Sequence, residues 1–503
     1  MKNRNKGIAL SYVNTIINLI CGLFLSSFLL RSLGDTEYGI YQTISSFANY
    51  LVLLEFGTGT VMTRNISICL GKKQGKDEID KNTSTIWTIT NILALVIICV
   101  SVLFYCLMGN IYSQTLSVDQ LNYARSIFVF ITVYLVVSFY IQTLNGIVLA
   151  FEQYSYAPIQ NIARTVIRTA ALIVLITCYK YSVLIAVIDM FLSILILAFS
   201  LFYCIKKYRI SLSFKKFDFI ILKSVMPLCI AICLQAIVNQ ANNNVDKFVI
   251  GIMVSPEAVT LYSISLYIFS IFSSLTTTPI SMYAPQLAKD ISKGISRDDL
   301  TKKLIAPCRM IAIIGGTVLF GFIAAGKQFI AIMYGSEYNL AWIIAIIIMA
   351  PMFINMTNGV LVNVLDVLNK RIVRSVILII TTTANIILTV FFIGIWGIVG
   401  AAAATAICTV IGQVIIMNIY YSRKIKIKVM YMFFYAYKGI LPFQFLGAVC
   451  SIIAGSFISN IYISFVVCGL VYVLVFLAGY LFFGANESEK LKLKSILYRG
   501  KKK

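Results

Sequence analysis

Apolar stretches of about 20 residues recur along the whole chain, and short polar segments separate them. A helix needs roughly 20 apolar residues to cross about 30 Å of hydrocarbon. The pattern therefore predicts an all-α integral membrane protein with about fourteen transmembrane helices. The predicted spans are 8–30, 39–62, 85–108, 125–149, 157–179, 182–204, 225–253, 259–282, 305–325, 340–363, 373–393, 397–420, 440–459 and 461–483.

Composition supports the same class of protein. Of the 503 residues, 60% are hydrophobic and 12% are charged, and the mean hydropathy is +0.90. The net charge of +23 does not indicate nucleic-acid binding, because the cations form short clusters between apolar runs. The positive-inside rule places these clusters and both termini in the cytoplasm, where we expect contact with anionic membrane lipids. The clusters are 72–76, 206–209, 215–216, 289–303, 370–371, 423–428 and the tail.

The residue types that most enzymes use are missing or scattered. The chain contains no histidine, which excludes an imidazole base, a histidine metal ligand and a Ser-His triad. The 12 cysteines lie mostly inside apolar runs and form no Cys-x-x-Cys pair, so they are predicted to be buried apolar side chains. We therefore expect no enzymatic activity, no bound metal and no cofactor.

Three short segments recur in the same order in the two halves of the chain. Their offsets of 221, 213 and 210 residues drift only slightly, and each pair is six predicted helices apart. The pairs are 33–41 with 254–262, 145–147 with 358–360, and 164–167 with 374–377. Within the first pair, Ser255 and Thr260 stand where the first copy has Gly34 and Gly39. The alternative is chance similarity between apolar sequences.

Because equivalent helices are six spans apart and six is an even number, they cross the membrane in the same direction, so the repeats are parallel. This predicts two parallel six-helix bundles around a central cavity and alternating access. The C-terminal pair of helices is additional to these bundles. The predicted division is an N-terminal bundle at 1–205, a basic cytoplasmic linker at 206–224, a C-terminal bundle at 225–422, helices 13 and 14 at 423–485, and a basic tail at 486–503.

Charged side chains inside spans are costly and usually face a wet cavity or a protein partner. Arg164 and Arg168 are spaced i, i+4 on one face of the fifth predicted helix. Two guanidinium groups at membrane depth suit bidentate binding of a phosphate or pyrophosphate group. The alternative is an ion pair with Glu55 or Asp189.

Glu55 is the deepest carboxylate of the predicted N-terminal bundle. It is predicted either to couple transport to an ion gradient or to form a fixed ion pair with Arg64 or Arg168, and the fixed pair is favoured. Asp189 of the sixth predicted helix belongs to the same group of coupling or ion-pairing residues.

The seventh predicted helix carries the densest polar stripe. Gln235, Asn239, Asn242 and Asp246 follow i, i+4, i+7, i+11 spacing and so share one face. Amide side chains at this density favour hydrogen bonds to sugar hydroxyls, although bonding between neighbouring helices is the alternative. Asp246 and Lys247 lie near the outer end, where they could instead form a gate.

The sequence resembles the oligosaccharide-unit flippases of the O-antigen and polysaccharide (Wzx) type. These form the polysaccharide transporter branch of the multidrug/oligosaccharidyl-lipid/polysaccharide (MATE/MOP) exporter superfamily. The resemblance covers all the predicted spans. Its marks are the Leu-Gly-x-x-x-Tyr-Gly-x-Tyr turn at 33–41, the segment Glu55-Phe56-Gly57 followed by Arg64, and the segments 245–251 and 334–338.

The resemblance implies movement of an undecaprenyl-pyrophosphate-linked sugar unit to the outer leaflet of a bacterial plasma membrane, coupled to an ion gradient. It further implies a lipid-linked oligosaccharide as substrate, a polysaccharide polymerase as a candidate partner, and a monomer. Alternatives are a peptidoglycan-precursor flippase or drug exporter of the same superfamily, and less favourably a membrane glycosyl polymerase or transferase. The last would be expected to carry a long extracytoplasmic loop with catalytic residues, which the sequence lacks.

Overall fold

The computed structural model describes residues 2–55, 57–112, 115–210, 212, 216–277, 287, 291, 295–368, 370–486 and 489. These residues form helices and contain no β-strand. In chain order the helices are α1 (Lys2–Leu33), α2 (Asp35–Leu51), α3 (Thr58–Gly71), α4 (Lys76–Ile111), α5 (Val118–Ala150), α6 (Tyr156–Tyr179), α7 (Val183–Tyr208), α8 (Phe219–Met253), α9 (Pro256–Thr277), α10 (Arg297–Met333), α11 (Leu340–Thr357), α12 (Gly359–Val367), α13 (Arg371–Trp396), α14 (Ile398–Cys408), α15 (Met417–Arg423), α16 (Val429–Tyr437), α17 (Leu441–Ser456) and α18 (Ile461–Gly479).

The helices confirm a multi-pass, all-α membrane protein. Among the described residues, 11 helices are long and apolar enough to span a membrane, or 12 if the pair α16 and α17, bent by 47°, forms one span. The predicted spans 39–62 and 225–253 are not among them. The first is interrupted between α2 and α3, and the second lies in α8, several of whose side chains are outside the described part of the structure. The number fourteen stays a prediction.

The interruption in the second predicted span has a backbone cause. A short 3₁₀ helix, Val52–Glu55, follows α2, and Gly57 then adopts a left-handed conformation with φ 64° before α3 begins. Glycine tolerates this conformation because it has no Cβ. The break places Glu55 at a point where the helical hydrogen-bond ladder stops.

The chain divides into two compact units, residues 1–260 and 261–503. In the first unit, α5 packs against α2, α3, α4 and α7, while α1 packs against α6. The unit boundary follows α8, because α8 packs against α2 and α4. It therefore lies later in the chain than the linker 206–224, where the sequence places the end of the first bundle. The predicted bundle boundaries stay a prediction.

The two turn segments that the sequence pairs as repeats contact each other inside the first unit. Thr36 Oγ1 donates to Glu257 Oε1 at 2.7 Å, and Thr260 Oγ1 donates to the carbonyl oxygen of Asp35 at 2.8 Å. Thr36 and Glu257 are 221 residues apart, which is the offset of that pair of segments. Such a contact between equivalent positions is what a twofold relation between the two turns would produce.

Gly39 permits this contact. A Cβ added to Gly39 would overlap the carbonyl group of Pro256, the first residue of α9. Close approach of helix backbones through small residues is a common way to pack helices in membranes. The glycine in the Tyr-Gly-x-Tyr part of the turn is thus explained by contact with the start of α9.

The basic linker contacts the start of α4. Lys216 Nζ lies 3.0 Å from Asp80 Oδ2 and 3.0 Å from Asp77 Oδ1. These hydrogen bonds, that to Asp80 first, raise the pKa of Lys216 above its ordinary value. The linker segment before α8 is therefore held by this pair of ionic contacts as well as by apolar packing of Ile210 and Leu212.

The second unit is built around α10, which packs against α11, α16, α17 and α18. Arg309 of α10 is 2% exposed. Its Nε donates to Glu489 Oε1 at 2.8 Å. Its Nη1 donates to the carbonyl oxygens of Lys438 and Tyr435 at 2.8 and 3.3 Å, and its Nη2 donates to the carbonyl oxygen of Gly484. One buried guanidinium thereby joins the ends of the C-terminal helices to α10.

Gly39→Ala is expected to lower the unfolding temperature of the purified protein in detergent. The added Cβ must push α2 away from Pro256, and overpacking costs about 1–3 kcal/mol, more than the roughly 0.5–1 kcal/mol gained in helix propensity. Gly71→Ala is the matched control, because a Cβ there meets no atom within 4 Å. Equal unfolding temperatures for the two variants would contradict the close contact at Gly39.

Candidate functional site

A polar stripe joins α6 to α7 in the first unit. From Tyr156 to Arg168, every fourth residue of α6 carries a polar group that contacts α7. Near the start of α6, the hydroxyl groups of Tyr156 and Ser200 lie 3.1 Å apart, and Gln160 Nε2 donates to Ser200 Oγ at 2.9 Å. One and two turns further along the same face are Arg164 and Arg168. The stripe therefore leads into the pair of arginines that the sequence singled out.

Arg168 forms a bidentate ion pair with Asp189 of α7. The distance from Arg168 Nε to Asp189 Oδ1 is 2.5 Å, and that from Nη2 to Oδ2 is 2.9 Å. Asp189 is buried, with 8% of the residue exposed, while the side chain of Arg168 is 27% exposed. Paired in this way, Arg168 uses two of its donors on the protein itself. Of the two carboxylates considered from the sequence, the structure places Asp189 at the arginine.

Arg164 is held more loosely. Its Nη2 donates to Ser193 Oγ at 3.3 Å and lies 3.9 Å from Asp189 Oδ1, outside hydrogen-bond distance. Its guanidinium carbon is 5.1 Å from the centre of the Tyr134 ring, a cation–π contact with α5. Most of its five N–H donors are therefore not committed to Asp189.

The cluster of Arg164, Arg168 and Asp189 carries two positive charges and one negative charge. Its formal net charge is thus +1 at a depth where an unpaired charge is costly. The side chains of Arg164 and Arg168 are 23% and 27% exposed. Chemically, this arrangement can bind a phosphate or pyrophosphate oxygen through Arg164 while Arg168 stays paired.

The position of α7 relative to α5 is fixed by Glu37, near the start of α2. Ser182, which precedes α7, donates from its hydroxyl group to Glu37 Oε2 at 3.1 Å. The phenol oxygen of Tyr123 on α5 accepts from the backbone N–H of Val183 at 3.0 Å. These bonds satisfy polar groups at the start of α7. They also fix the position along α6 at which Asp189 contacts it.

Glu55 and Arg64 are not brought to this cluster by any ion pair in the described part of the chain. Glu55 is partly buried next to the break before α3, and the short helix that carries it packs against α8. Arg64 is exposed on α3. The fixed pairing of Glu55 with Arg168 or Arg64, favoured from the sequence, is thus not among the described ion pairs, and the coupling role stays a prediction.

The predicted sugar-binding stripe lies on α8. The side chains of Gln235, Asn239 and Asn242 fall outside the described residues. Asp246 is described and is buried, and Lys247 beside it is partly buried. Directly after Lys247, the Phe248 ring lies 5.7 Å from the Phe47 ring of α2. The C-terminal part of α8 is therefore held against α2, and the binding role of the stripe stays a prediction.

Sequence reasoning missed Gln160, Ser193, Ser200 and Glu37. The i, i+4 series that begins at Tyr156 could have identified Gln160, because it continues the line of the two arginines. No comparable signal marks the serines, since single serines are common in membrane helices and often bond to their own backbone. Ser193 bonds both to its own helix backbone and to the site: its hydroxyl group donates to the Asp189 carbonyl oxygen at 2.7 Å and accepts from Arg164.

The second unit has a polar pocket at the position that the predicted repeat aligns with Arg164. Arg374 of α13 lines this pocket with Asn355, Asn358 and Gln413. Asn355 Nδ2 donates to Gln413 Oε1 at 2.6 Å, and Asn358 Nδ2 donates to Asn418 Oδ1 at 3.0 Å. Gln413 lies in a π-helical segment, Thr409–Ile416, a local irregularity frequent at functional sites.

The profile of the family described as polysaccharide biosynthesis protein matches residues 5–290, more than half of the chain. The chain belongs to this family. The match confirms the family resemblance found in the sequence.

One relative is the "Probable low-salt glycan biosynthesis flippase Agl15" of Haloferax volcanii, which is 26% identical over 188 residues. The match covers 37% of this chain and 39% of that protein, so the chain spans about two fifths of the curated relative's length.

Two solved structures are similar over most of their length. A lipid II flippase MurJ in an inward closed conformation has a TM-score of 0.73 at 16% identity, covering 94% of this chain and 98% of that one. An inward-facing multidrug resistance MATE family transporter of the MOP superfamily has a TM-score of 0.65 at 12% identity, covering 85% and 98%. The protein therefore has the MurJ and MATE fold.

Asp189→Asn and Arg168→Gln are each expected to lower the unfolding temperature of the purified protein. Breaking a buried ion pair costs about 3–5 kcal/mol, and the partial exposure of Arg168 reduces this to roughly 2 kcal/mol. The double variant Arg168→Met/Asp189→Leu should recover most of the loss, because apolar residues can replace such a pair. A double variant no more stable than either single variant would refute pairing as the source of stability.

Proposed function

We propose that this protein flips an undecaprenyl-pyrophosphate-linked oligosaccharide repeat unit from the inner to the outer leaflet of the bacterial plasma membrane. Transport proceeds by alternating access and is coupled to an ion gradient. The observation that carries the proposal is the cluster of Arg164, Arg168 and Asp189, with net charge +1 among membrane-spanning helices. Membership in the polysaccharide biosynthesis family and the MurJ-like fold support it.

Within this cluster the two arginines have different roles. Arg164 binds the pyrophosphate, since most of its donors are uncommitted and its ring contact with Tyr134 keeps the guanidinium in place. Arg168 acts as a positioning residue, because its bidentate bond orients Asp189 beneath Arg164. The pair thus keeps a cationic site inside the membrane without leaving two uncompensated charges.

The sugar portion of the substrate is proposed to contact α8. The spacing of Gln235, Asn239 and Asn242 predicts one shared face, and their amide groups are suited to sugar hydroxyls. Asp246 and Lys247 lie closer to its outer end, where they complete the substrate path or gate it. This part of the proposal is supported by the sequence spacing alone.

Glu55 is the proposed coupling residue. It is a partly buried carboxylate at the break between α2 and α3, without an ion pair among the described residues. A carboxylate in that position can bind and release a proton or a cation as the helices around it rearrange.

The proposed setting is a monomer in the plasma membrane with both termini in the cytoplasm. Its basic segments lie on anionic headgroups, and the polysaccharide polymerase is a candidate partner at the outer leaflet. The protein is proposed to be a transporter and not an enzyme. The second candidate function is flipping of a peptidoglycan precursor, favoured by the similarity of the fold to the lipid II flippase.

Expression of the protein in a strain that lacks its repeat-unit flippase is expected to restore surface polysaccharide. Arg164→Gln should reduce the restored amount by roughly tenfold or more, since a hydrogen bond to a charged group contributes about 1.5–3 kcal/mol. Lys180→Gln is the control, because Lys180 is an exposed cation at the other end of α6. Normal export by a well-expressed Arg164→Gln protein would remove this site from the proposal.

The same assay separates the candidates. Rescue of a strain depleted of its peptidoglycan-precursor flippase, without restoration of surface polysaccharide, would favour the second candidate function. If purified protein in vesicles joined or hydrolysed the lipid-linked sugar, the transporter proposal would be wrong.

Glu55→Gln is expected to abolish the dependence of flipping on an imposed ion gradient in reconstituted vesicles while leaving slow downhill flipping. The amide cannot carry the charge change that coupling needs. The measurement is the flipping rate with and without a proton or sodium gradient, with Glu152→Gln as a control in the loop between α5 and α6. Unchanged gradient dependence would exclude Glu55 as the coupling group.

A further inference from the structure

An apolar groove with a basic residue at one end runs between α4 and α5. Its walls include Val102 and Tyr105 of α4 and Val129 and Val133 of α5, all of them 38–59% exposed. The groove has a volume of about 540 Å³. Large exposed apolar surface is ordinary on a membrane-spanning helix. A concave site of this size, however, can bind a lipid chain of matching shape.

Arg125 stands at one end of the groove. On α5 it shares a face with the lining residues at i+4, i+7, i+8 and i+11, which begin at Val129 and end at Val136. Its guanidinium carbon is 5.4 Å from the centre of the Tyr105 ring, which belongs to the groove wall. The guanidinium group of Arg125 therefore lies directly next to the apolar lining of the groove.

Apart from its contact with Tyr105, Arg125 has no ion pair in the part of the chain that the structure describes, and its buried Nε has no hydrogen-bond partner there. A guanidinium group at a membrane boundary with donors to spare favours a phosphate. It takes no part in the ion pairs of Arg164 and Arg168 with Asp189.

The length of the groove matches one leaflet. Its lining on α5 runs from Phe128 to Val137, which is about 13 Å at about 1.5 Å per residue, close to half of the roughly 30 Å hydrocarbon thickness. A lipid whose phosphate contacts Arg125 would place one acyl chain along this lining.

We propose that the groove between α4 and α5 is a binding site for an anionic phospholipid, with its phosphate on Arg125 and one acyl chain against Val129, Val133 and Val102. The occupant is a bilayer phospholipid and not the lipid-linked substrate, because one guanidinium suits one phosphate and the groove is open along exposed walls. The site is distinct from the proposed substrate site and does not depend on the transport function.

The test measures lipid binding to the purified protein in detergent by native mass spectrometry. Phosphatidylglycerol, phosphatidylcholine and undecaprenyl phosphate are used as separate probes. Phosphatidylglycerol is expected to bind about fivefold more tightly than phosphatidylcholine, since one basic residue near a membrane surface contributes about 1 kcal/mol. Arg125→Gln should remove this preference. Lys180→Gln, which changes another exposed cation, should keep it.

The part of the site that holds the acyl chain is tested by filling the groove with a larger side chain. Val133→Trp should weaken binding of both phospholipids severalfold, and Val129→Trp tests the same wall if the first variant does not fold. Leu95→Trp is the control, because Leu95 is 63% exposed on α4 and does not line the groove.

The proposal is overturned if Arg125→Gln keeps the preference for phosphatidylglycerol, or if the groove-filling variant that folds binds like the Leu95→Trp control. Tight binding of undecaprenyl phosphate that phosphatidylglycerol does not displace would also overturn it, because the occupant would then be the substrate's carrier lipid.

Discussion

Hydrocarbon contains no water to satisfy a polar group, so each polar side chain in a span must find its partner within the protein. In this protein the requirement is met most visibly between α6 and α7. There a series from Tyr156 to Arg168 pairs with Ser200, Ser193 and Asp189. The same constraint explains why Arg168 forms a bidentate ion pair with Asp189 and why the more loosely held Arg164 is notable. A polar group that the fold leaves incompletely satisfied inside a membrane is the first place to look for a ligand.

The contrast with Arg309 makes this difference concrete. Arg309 is almost completely buried and is surrounded by three backbone carbonyl groups and a carboxylate, so its donors are used within the protein. It therefore stabilises helix packing. Arg164 has one hydroxyl partner and an aromatic ring and keeps about a quarter of its side chain exposed. Burial and satisfaction of donors, more than depth in the membrane, distinguish a structural arginine from a candidate binding residue.

Much of the fold could be predicted from the sequence, because hydrophobic length is a direct consequence of membrane thickness. The arginine pair was also visible, since charges inside apolar runs are rare. The partner was not determined, because Glu55 and Asp189 are equally plausible until the helices are placed. The break at Gly57 was hidden inside an apolar run, and Arg309 was hidden near the predicted start of a span, where a basic residue is expected. The serines of α7 carry no pattern of their own.

Arg309 also has a consequence for the order in which the protein is made. Its acceptors lie 126–180 residues later in the chain, so a ribosome adding about 5–20 residues per second reaches them roughly 6–36 s after Arg309. During that interval α10 is already available for insertion, but its guanidinium has none of these partners. The second unit therefore completes its folding late in biosynthesis, and until the last helices arrive this arginine depends on water, lipid headgroups or the insertion machinery.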